Sequence, residues 1–156
     1  MPRGAGATSD QVASISVRAA EMKDAPSIAT LCGQLGYEVS PEQVRERLGR
    51  IGRGRDSVAY VAESPKEGVI GWVHVYRRDL IETETDAEIG GLVVGEGYRR
   101  RGIGRLLLER AERWAYERGC VAMNARSNIV REDAHSFYQS IGYECVKTQK
   151  AFRRHL

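Results

Sequence analysis

The sequence predicts an α+β (mixed α/β) domain built around one central sheet. Strand-like segments with alternating apolar residues are interrupted by amphipathic helical segments, in the order β-α-α-β-β-β-α-β-α-β. The 156 residues are enough for one domain with a sizeable core and too few for two ordinary domains. The sequence contains no apolar run that approaches the roughly 18 residues of a membrane-spanning helix.

Composition and charge exclude several classes of protein. Apolar residues make up 42% of the chain and charged residues 29%, as in folded globular domains. The net charge of +3, from 24 basic and 21 acidic residues, is too small to indicate a nucleic-acid binder. Cys32, Cys120 and Cys145 are far apart and odd in number. This spacing predicts neither a metal site nor a disulfide framework, and it favours the reducing cytoplasm.

The first part of the chain contains a polar leader, a strand and two helices. Residues 1–12 lack the apolar segment of a secretory signal and are expected to be a flexible leader before one domain, 13–156. "SISVRAA" (14–20) predicts the first strand. The next segment predicts a helix capped by Asp24. Ser40 before Pro41 predicts the start of a second helix, which ends at the glycine-rich stretch after residue 51.

The second part alternates strands with helices. Strands are predicted at 57–64, 68–76, 86–94, 120–127 and 143–152. Helices are predicted at 102–118 and 131–142, and the first of them carries an apolar stripe of Ile103, Leu107, Ala111 and Trp114.

"YRRRGIGRLLLERAERW" (98–114) gathers arginines and glycines directly ahead of a helix. A helix N-terminus already carries partial positive charge and unpaired N–H groups, so this arrangement favours a bound anion such as a phosphate. The alternative is a solvated basic turn. The segment is neither a dinucleotide fingerprint, since an arginine stands where GxGxxG needs its third glycine, nor a P-loop, since no GK[ST] follows.

Two segments resemble one known family. "RRRGIG" (99–104) is similar to the [QR]-x-x-G-x-[GA] signature of GNAT-type N-acetyltransferases, and "AHSFYQSIGYE" (134–144) resembles their A-x-x-F-Y-x-x-x-G-[FY] segment. The resemblance implies a mostly antiparallel mixed sheet, splayed near its middle and flanked by about four helices. It also implies transfer of acetyl from acetyl-CoA, with no metal, to a primary amine that attacks directly in a ternary complex.

The resemblance also implies which residues hold the cofactor. The strand before the signature would pair with the pantetheine arm, and the signature loop would bind the pyrophosphate. Asn124 or Asn128 would contact the cofactor from the far side of the splay. Many relatives carry an asparagine where this chain has Arg131, which would instead supply charge to the phosphates. The pantetheine residues are Leu92, Val93 and Val94, and the pyrophosphate residues are Arg99, Arg100, Arg101, Gly102, Ile103, Gly104 and Arg105.

Catalysis requires a neutral amine and a proton for the departing thiolate. The resemblance places Tyr138 as the general acid and Glu88 as the general base, acting directly or through a water. Tyr138 has the alternative role of packing on the cofactor or the core, and Glu88 that of a structural or substrate-binding carboxylate. His74 and His135 are further candidates for the base, and a structural role is the alternative for each.

The acceptor is predicted from an acidic stretch and one tyrosine. "DLIETETDAE" (79–88) contains five acidic residues, of which Glu84 and Asp86 alternate with Glu88 along one strand face. These carboxylates favour a cationic acceptor, and a solvated hairpin is the alternative. Tyr37, between the first two helices, is the candidate for the acceptor wall.

Two other functions are weighed against catalysis. One is a non-catalytic module that binds CoA on the same fold, and the other is nucleic-acid binding through the arginines. The expected partner is an amine on a small molecule or peptide, with neither nucleic acid nor membrane as a partner. The sequence leaves open whether the chain forms a homodimer through its second helix or its C-terminal strand.

Overall fold

The computed structural model describes residues 14–127 and 130–156. The expected leader, residues 1–12, and the candidate cofactor contact Asn128 lie outside the described residues. The chain divides into two compact units, of which the first ends at Ala125 and the second begins at Arg126.

A five-stranded sheet is the centre of the first unit. The first four strands pair antiparallel in chain order, and the fifth lies parallel beside the fourth. The expectation of a mixed, mostly antiparallel sheet is confirmed. The strands are β1 (Ser16–Ala19), β2 (Ser57–Ser64), β3 (Gly68–Arg78), β4 (Asp86–Val94) and β5 (Met123–Ala125).

β5 is shorter than the strand predicted at 120–127. It opposes β4 over only three residue pairs, from Ala87 against Met123 to Ile89 against Ala125. A strand extends only as far as its backbone is hydrogen-bonded to a neighbouring strand. The apolar pattern of 120–127 therefore overestimates the length of β5.

Helices α1 (Ala25–Gln34) and α2 (Pro41–Arg53) pack on one face of the sheet. Ile28 of α1, Val44 of α2 and Val61 of β2 belong to one buried cluster. α2 begins as predicted, because the Gln43 N–H donates to the Ser40 hydroxyl oxygen at 3.1 Å and the Ser40 N–H donates to the Gln43 amide oxygen at 2.9 Å. This reciprocal pair closes the first turn of the helix.

Helix α3 (Ile103–Glu117) packs on the opposite face and connects β4 to the parallel β5. The predicted apolar stripe is confirmed, since Ile103, Leu107, Ala111 and Trp114 are all buried. They pack against the side of the sheet that carries the buried Val73 and Val75 of β3. The sheet is therefore covered on both faces.

The sequence predicts that Asp24 caps α1, but in the structure its side chain makes no capping hydrogen bond to this helix. It is 4% exposed and accepts two hydrogen bonds of 2.8 Å from the guanidinium of Arg18 on β1. Its carboxylate also accepts the backbone N–H of Glu21 at 2.7 Å, and Arg18 donates to Glu63 of β2 at 2.7 Å. The hydrogen bond from Arg18 is the main reason that the pKa of Asp24 lies below its usual value. The pair joins the start of α1 to the edge of the sheet.

The second unit contains helix α4 (Glu132–Ser140), which confirms the last predicted helix. The strand predicted at 143–152 is wrong, because residues 143–156 form neither helix nor strand. The segment has a strand-like composition, but a strand needs a partner for its backbone, and the sequence does not encode that partner locally.

We expect Asp24→Asn to lower the free energy of unfolding by about 1.5–3 kcal/mol, since it removes a buried charge that accepts three hydrogen bonds. Folding lowers the pKa of Asp24 below its ordinary value of 3.8. The difference in unfolding free energy between wild type and Asp24→Asn should therefore be largest at neutral pH and should shrink as the pH falls below 3.8. Denaturant unfolding at several pH values measures it. Glu63→Gln, which changes the exposed acceptor of Arg18, is the control and should cost much less.

Candidate active site

The edge of β4 beside β5 is only partly paired. β5 bonds the first part of β4 as far as Ile89, and none of the described strands continues along the same edge from Gly90 to Val94. On its other edge, β4 stays paired with β3 up to Val94. The sequence predicts a splay near the middle of the sheet; in the structure, the incomplete pairing lies between β4 and β5, the last strand pair of the described sheet. The predicted pantetheine residues Leu92, Val93 and Val94 lie on the segment whose outer backbone edge no described strand fills.

The predicted pyrophosphate loop follows β4 without interruption. A 3-10 turn at Glu96–Tyr98 leads into Arg100, which has a φ of +63°, and Gly102, which has a φ of +80° and stands at the N-cap of α3. Arg100 is the single described residue other than glycine in the left-handed region. Strain of this kind is typical of functional loops. Gly102 offers no side chain to cap the helix, so no side chain covers its first N–H groups.

The four arginines of the loop differ in their contacts. The Arg99 guanidinium donates to the Val94 carbonyl oxygen at 3.3 Å, and Arg105 pairs with Glu109 at 3.0 Å. The Arg101 guanidinium lies 5.6 Å from the ring centroid of Tyr98. Arg100 is exposed. The loop therefore combines uncapped backbone donors with exposed positive charge, which is the chemistry that an anionic phosphate group requires.

Glu88, the predicted general base, lies on β4 with 5% of its surface exposed. It accepts a hydrogen bond from the Tyr76 hydroxyl and lies 3.6 Å from an amino group of the Arg78 guanidinium. Both partners belong to β3, and Tyr76 stands directly opposite Glu88 in the sheet register. Glu88 is thus part of a polar network on the sheet, which agrees equally with a catalytic and a structural carboxylate.

The acidic stretch that was predicted to attract a cation is divided by the structure. Glu84 is exposed and precedes β4, whereas Asp86 is 8% exposed and accepts two hydrogen bonds from Arg78, at 2.7 and 2.8 Å. Arg78 keeps the pKa of Asp86 below its usual value and already balances its charge. The cation-binding role of Glu84 and Asp86 therefore stays a prediction. Asn124, the alternative cofactor contact, donates to the Ala87 carbonyl oxygen at 3.2 Å.

A groove opens between α1, α2 and the sheet, and it consists of two cavities of about 220 and 180 Å³. Tyr37, the predicted acceptor residue, lines the larger cavity together with Gly90 and Gly91 of β4. Glu84, Asp86 and Glu88 line neither cavity. Residues shared by the two cavities are Cys32, Val39, Arg47 and Trp72.

Gly90 and Gly91 of β4 line the groove on the side of the sheet. A Cβ atom at Gly90 would lie 2.6 Å from Nδ1 of His74, and one at Gly91 would lie 2.6 Å from the Trp72 ring. Sequence reasoning missed the groove residues Arg47, Trp72, Gly90 and Gly91. Two adjacent glycines inside a strand were the available signal, because such glycines indicate a bulge or the close approach of other atoms.

His74, one of the alternative bases, lines the smaller cavity. Its Nε2 lies 2.7 Å from the Ser57 hydroxyl oxygen, and burial lowers the pKa of the imidazole below its ordinary value of 6.5. A neutral imidazole at the wall of a cavity has the protonation state that a general base needs.

The second unit holds the predicted general acid. Tyr138 of α4 is half-buried, and its ring packs 5.3 Å from Phe137 and 5.5 Å from Tyr143, measured between centroids. Burial raises the pKa of Tyr138 above its ordinary value of 10, so the hydroxyl keeps its proton at neutral pH. Arg131 stands at the N-cap of α4, and His135 lies on the same helix.

Within the described ranges, no group of three histidine, cysteine, aspartate or glutamate residues is arranged to hold a metal ion. None of the described helices has the length and apolar character needed to span a membrane.

Comparison with known proteins gives a family match over most of the chain. The sequence model of the acetyltransferase (GNAT) family matches residues 22–143. A curated relative, aminoglycoside N(6')-acetyltransferase type 1 of Acinetobacter genomosp. 13, is 27% identical over 75 residues, which are 48% of this chain and 51% of that enzyme. The alignment thus spans about half the length of the curated relative.

Solved structures share the fold at low sequence identity. The structure of AAC(6')-Iy in complex with the bisubstrate analog CoA-S-monomethyl-acetylneamine aligns with a TM-score of 0.80 at 17% identity, over 91% of this chain and 99% of that one. Glucosamine-6-phosphate N-acetyltransferase from Arabidopsis thaliana aligns with a TM-score of 0.77 at 20% identity, over 89% and 97% of the two chains. These alignments confirm the expected fold.

We expect the burial of His74 to make the protein less stable in mild acid. The unfolded chain takes up a proton near pH 6.5 more readily than the folded one, so stability falls as the pH drops below that value, by at most about 1.4 kcal/mol per pH unit. Denaturant unfolding between pH 7.5 and 5.5 measures this slope. His74→Gln should flatten it, whereas Ser57→Ala should keep it, because burial and not the hydroxyl causes the shift. An equal slope in wild type and His74→Gln would contradict this account.

Proposed function

Since the chain belongs to the GNAT acetyltransferase family, we propose that it is an acetyl-CoA-dependent N-acetyltransferase. It transfers the acetyl group to a primary amine of a small molecule or peptide, by direct attack in a ternary complex. The observation that carries this proposal is the partly unpaired edge of β4, which runs directly into a basic loop at an uncapped helix N-terminus. The named activity of the curated relative supports it.

The loop and the strand edge suit the two parts of the cofactor. The N–H groups at the start of α3, together with Arg99, Arg100, Arg101 and Arg105, would hold the pyrophosphate through charge-assisted hydrogen bonds. The backbone of Leu92, Val93 and Val94 would pair with the amide groups of pantetheine as a further strand would. The thioester would then lie close to Gly90 and Gly91, which line the larger cavity.

The reaction exchanges a C–S bond for a C–N bond and includes two proton transfers. The neutral amine attacks the thioester carbonyl carbon, a C–N bond forms, the C–S bond breaks, and the amine loses a proton while the thiolate gains one. Only about one alkylamine in 10³ is neutral at pH 7, so a base that takes up the ammonium proton increases the reactive fraction. Glu88 is the proposed base, directly or through a water, and the neutral His74 at the groove wall is the alternative. Tyr138 is the proposed acid.

The acceptor is proposed only as a primary amine. The curated relative is named for aminoglycosides, which are polycations, and the acidic stretch before β4 favours such an acceptor. Against this, neither Glu84 nor Asp86 lines the groove, and Asp86 is paired with Arg78. Tyr37 keeps its proposed role in the acceptor wall, since it lines the larger cavity.

Thiol release from acetyl-CoA across a panel of primary amines tests the proposed function. Turnover with at least one amine is expected, with the N-acetyl product confirmed by mass spectrometry. Tight CoA binding with no turnover on any amine would instead support a non-catalytic CoA-binding module.

Gly102→Ala is expected to weaken CoA binding by about 10–100-fold, because a methyl group at the mouth of the loop displaces a phosphate from the backbone N–H groups. Calorimetric titration with CoA measures the change. Gly119→Ala is the matched control, since Gly119 lies just past the other end of α3, with a φ of +77° and open space around it like Gly102. Both variants should lose similar stability, and equal loss of CoA affinity in both would refute the loop assignment.

Tyr138→Phe is expected to lower kcat by about 10²–10⁴-fold and leave CoA affinity unchanged, because it removes the proton donor and keeps the ring. Steady-state thiol release measures kcat. Tyr143→Phe removes a hydroxyl from the neighbouring ring and should stay close to the wild type. A Tyr138→Phe enzyme with wild-type kcat would show that the tyrosine only packs.

A further inference from the structure

We propose that the acceptor is an α-amino acid with an apolar side chain, bound through its carboxylate by Arg47. This inference rests on the proposed function, and it names the substrate class for the groove between α1, α2 and the sheet. It is carried by the arrangement of the two cavities, by their charge and by their size.

The two cavities divide the groove by chemistry. The larger cavity reaches Gly90 and Gly91, where β4 loses its partner strand and the thioester is proposed to lie. The smaller cavity is walled by apolar side chains of α1 and α2, namely Ile28, Val44, Leu48 and Ile51. The amine of the acceptor therefore belongs in the larger cavity, and an apolar group fits the smaller one.

Arg47 lies where the two cavities meet, since it lines both. An acceptor that fills the groove would have an amine on one side, an apolar group on the other and an anion between them. These are the three substituents on the α-carbon of an amino acid. A single guanidinium matches a singly charged carboxylate, which it can bind through two parallel hydrogen bonds.

The charge of the groove opposes a polycation. Among the described residues that line the cavities, Arg47 is the one side chain with a fixed charge, and no carboxylate is present. α1 carries no charged residue, and α2 has four arginines against two glutamates.

The size of the smaller cavity agrees with a large apolar side chain. Its volume of about 180 Å³ exceeds the roughly 150 Å³ of an apolar cavity that accommodates benzene. L-Phenylalanine is therefore a suitable probe, and L-phenylalaninamide is its analogue without the carboxylate; because their α-amines differ in pKa, the two rates are compared per neutral amine.

The test compares thiol release with L-phenylalanine, L-phenylalaninamide and the aminoglycoside kanamycin at saturating acetyl-CoA. We expect kcat/KM to be at least about tenfold higher for phenylalanine than for its amide. Arg47→Gln should abolish that preference by lowering kcat/KM for phenylalanine to about that for the amide. Arg45→Gln is the control, since Arg45 is exposed on the same helix, pairs with Glu42 and lines neither cavity.

Binding of phenylalanine to the CoA-loaded protein, measured by calorimetry, separates this inference from the proposed function. Binding that Arg47→Gln abolishes, without turnover on any amine, would overturn the proposed function and support the amino-acid site. Turnover that prefers kanamycin or the amide, or that Arg47→Gln lowers equally for all acceptors, would keep the function and overturn the site. The absence of both phenylalanine binding and phenylalanine turnover would also overturn the site.

Discussion

The partial pairing of β4 is the constraint on which the proposed activity depends. Backbone N–H and C=O groups need partners, and β4 is paired with β3 up to Val94 on both sides of a bulge at Gly90, but with β5 only as far as Ile89. From Gly90 onwards, the outer edge offers the hydrogen-bonding pattern of a strand to whatever lies beside it. The basic loop continues directly from this edge, and the larger cavity reaches its first residues, so a cofactor on the loop and an acceptor in the groove would meet there.

The close approach of β3 side chains to β4 shapes the acceptor side. Trp72 and His74 occupy the space that Cβ atoms of Gly91 and Gly90 would need, and the sheet register shifts between His74 and Val75. A Cβ atom at either position would force the neighbouring ring to shift, so glycine suits both positions. The bulge therefore places an indole and a neutral imidazole at the wall of the cavities, beside the strand edge and on the opposite side of the sheet from α3.

Arginine pairing decides which carboxylates are available for chemistry. Arg18 binds Asp24 and Arg78 binds Asp86, so these two buried acids are balanced inside the fold. Desolvated carboxylates require such partners, and each pair also joins two elements of the first unit. The groove is left with Arg47 and neutral side chains. An acidic stretch before β4 and a groove with Arg47 as its one charged side chain among the described residues thus exist in the same chain.

The sequence by itself determined the order of the elements up to the last helix, the cap of α2, the apolar stripe of α3 and the loop before α3, because these depend on residues close together in the chain. Ser40 and Gln43 close the start of α2 as their spacing predicts. Only the tertiary structure decided the partners of distant residues. It showed that Asp24 binds Arg18 instead of capping α1, that 143–152 forms no strand, and that Arg47 lines the groove. Pairing across a sheet and the walls of a cavity join residues far apart in the chain, and no local pattern records such contacts.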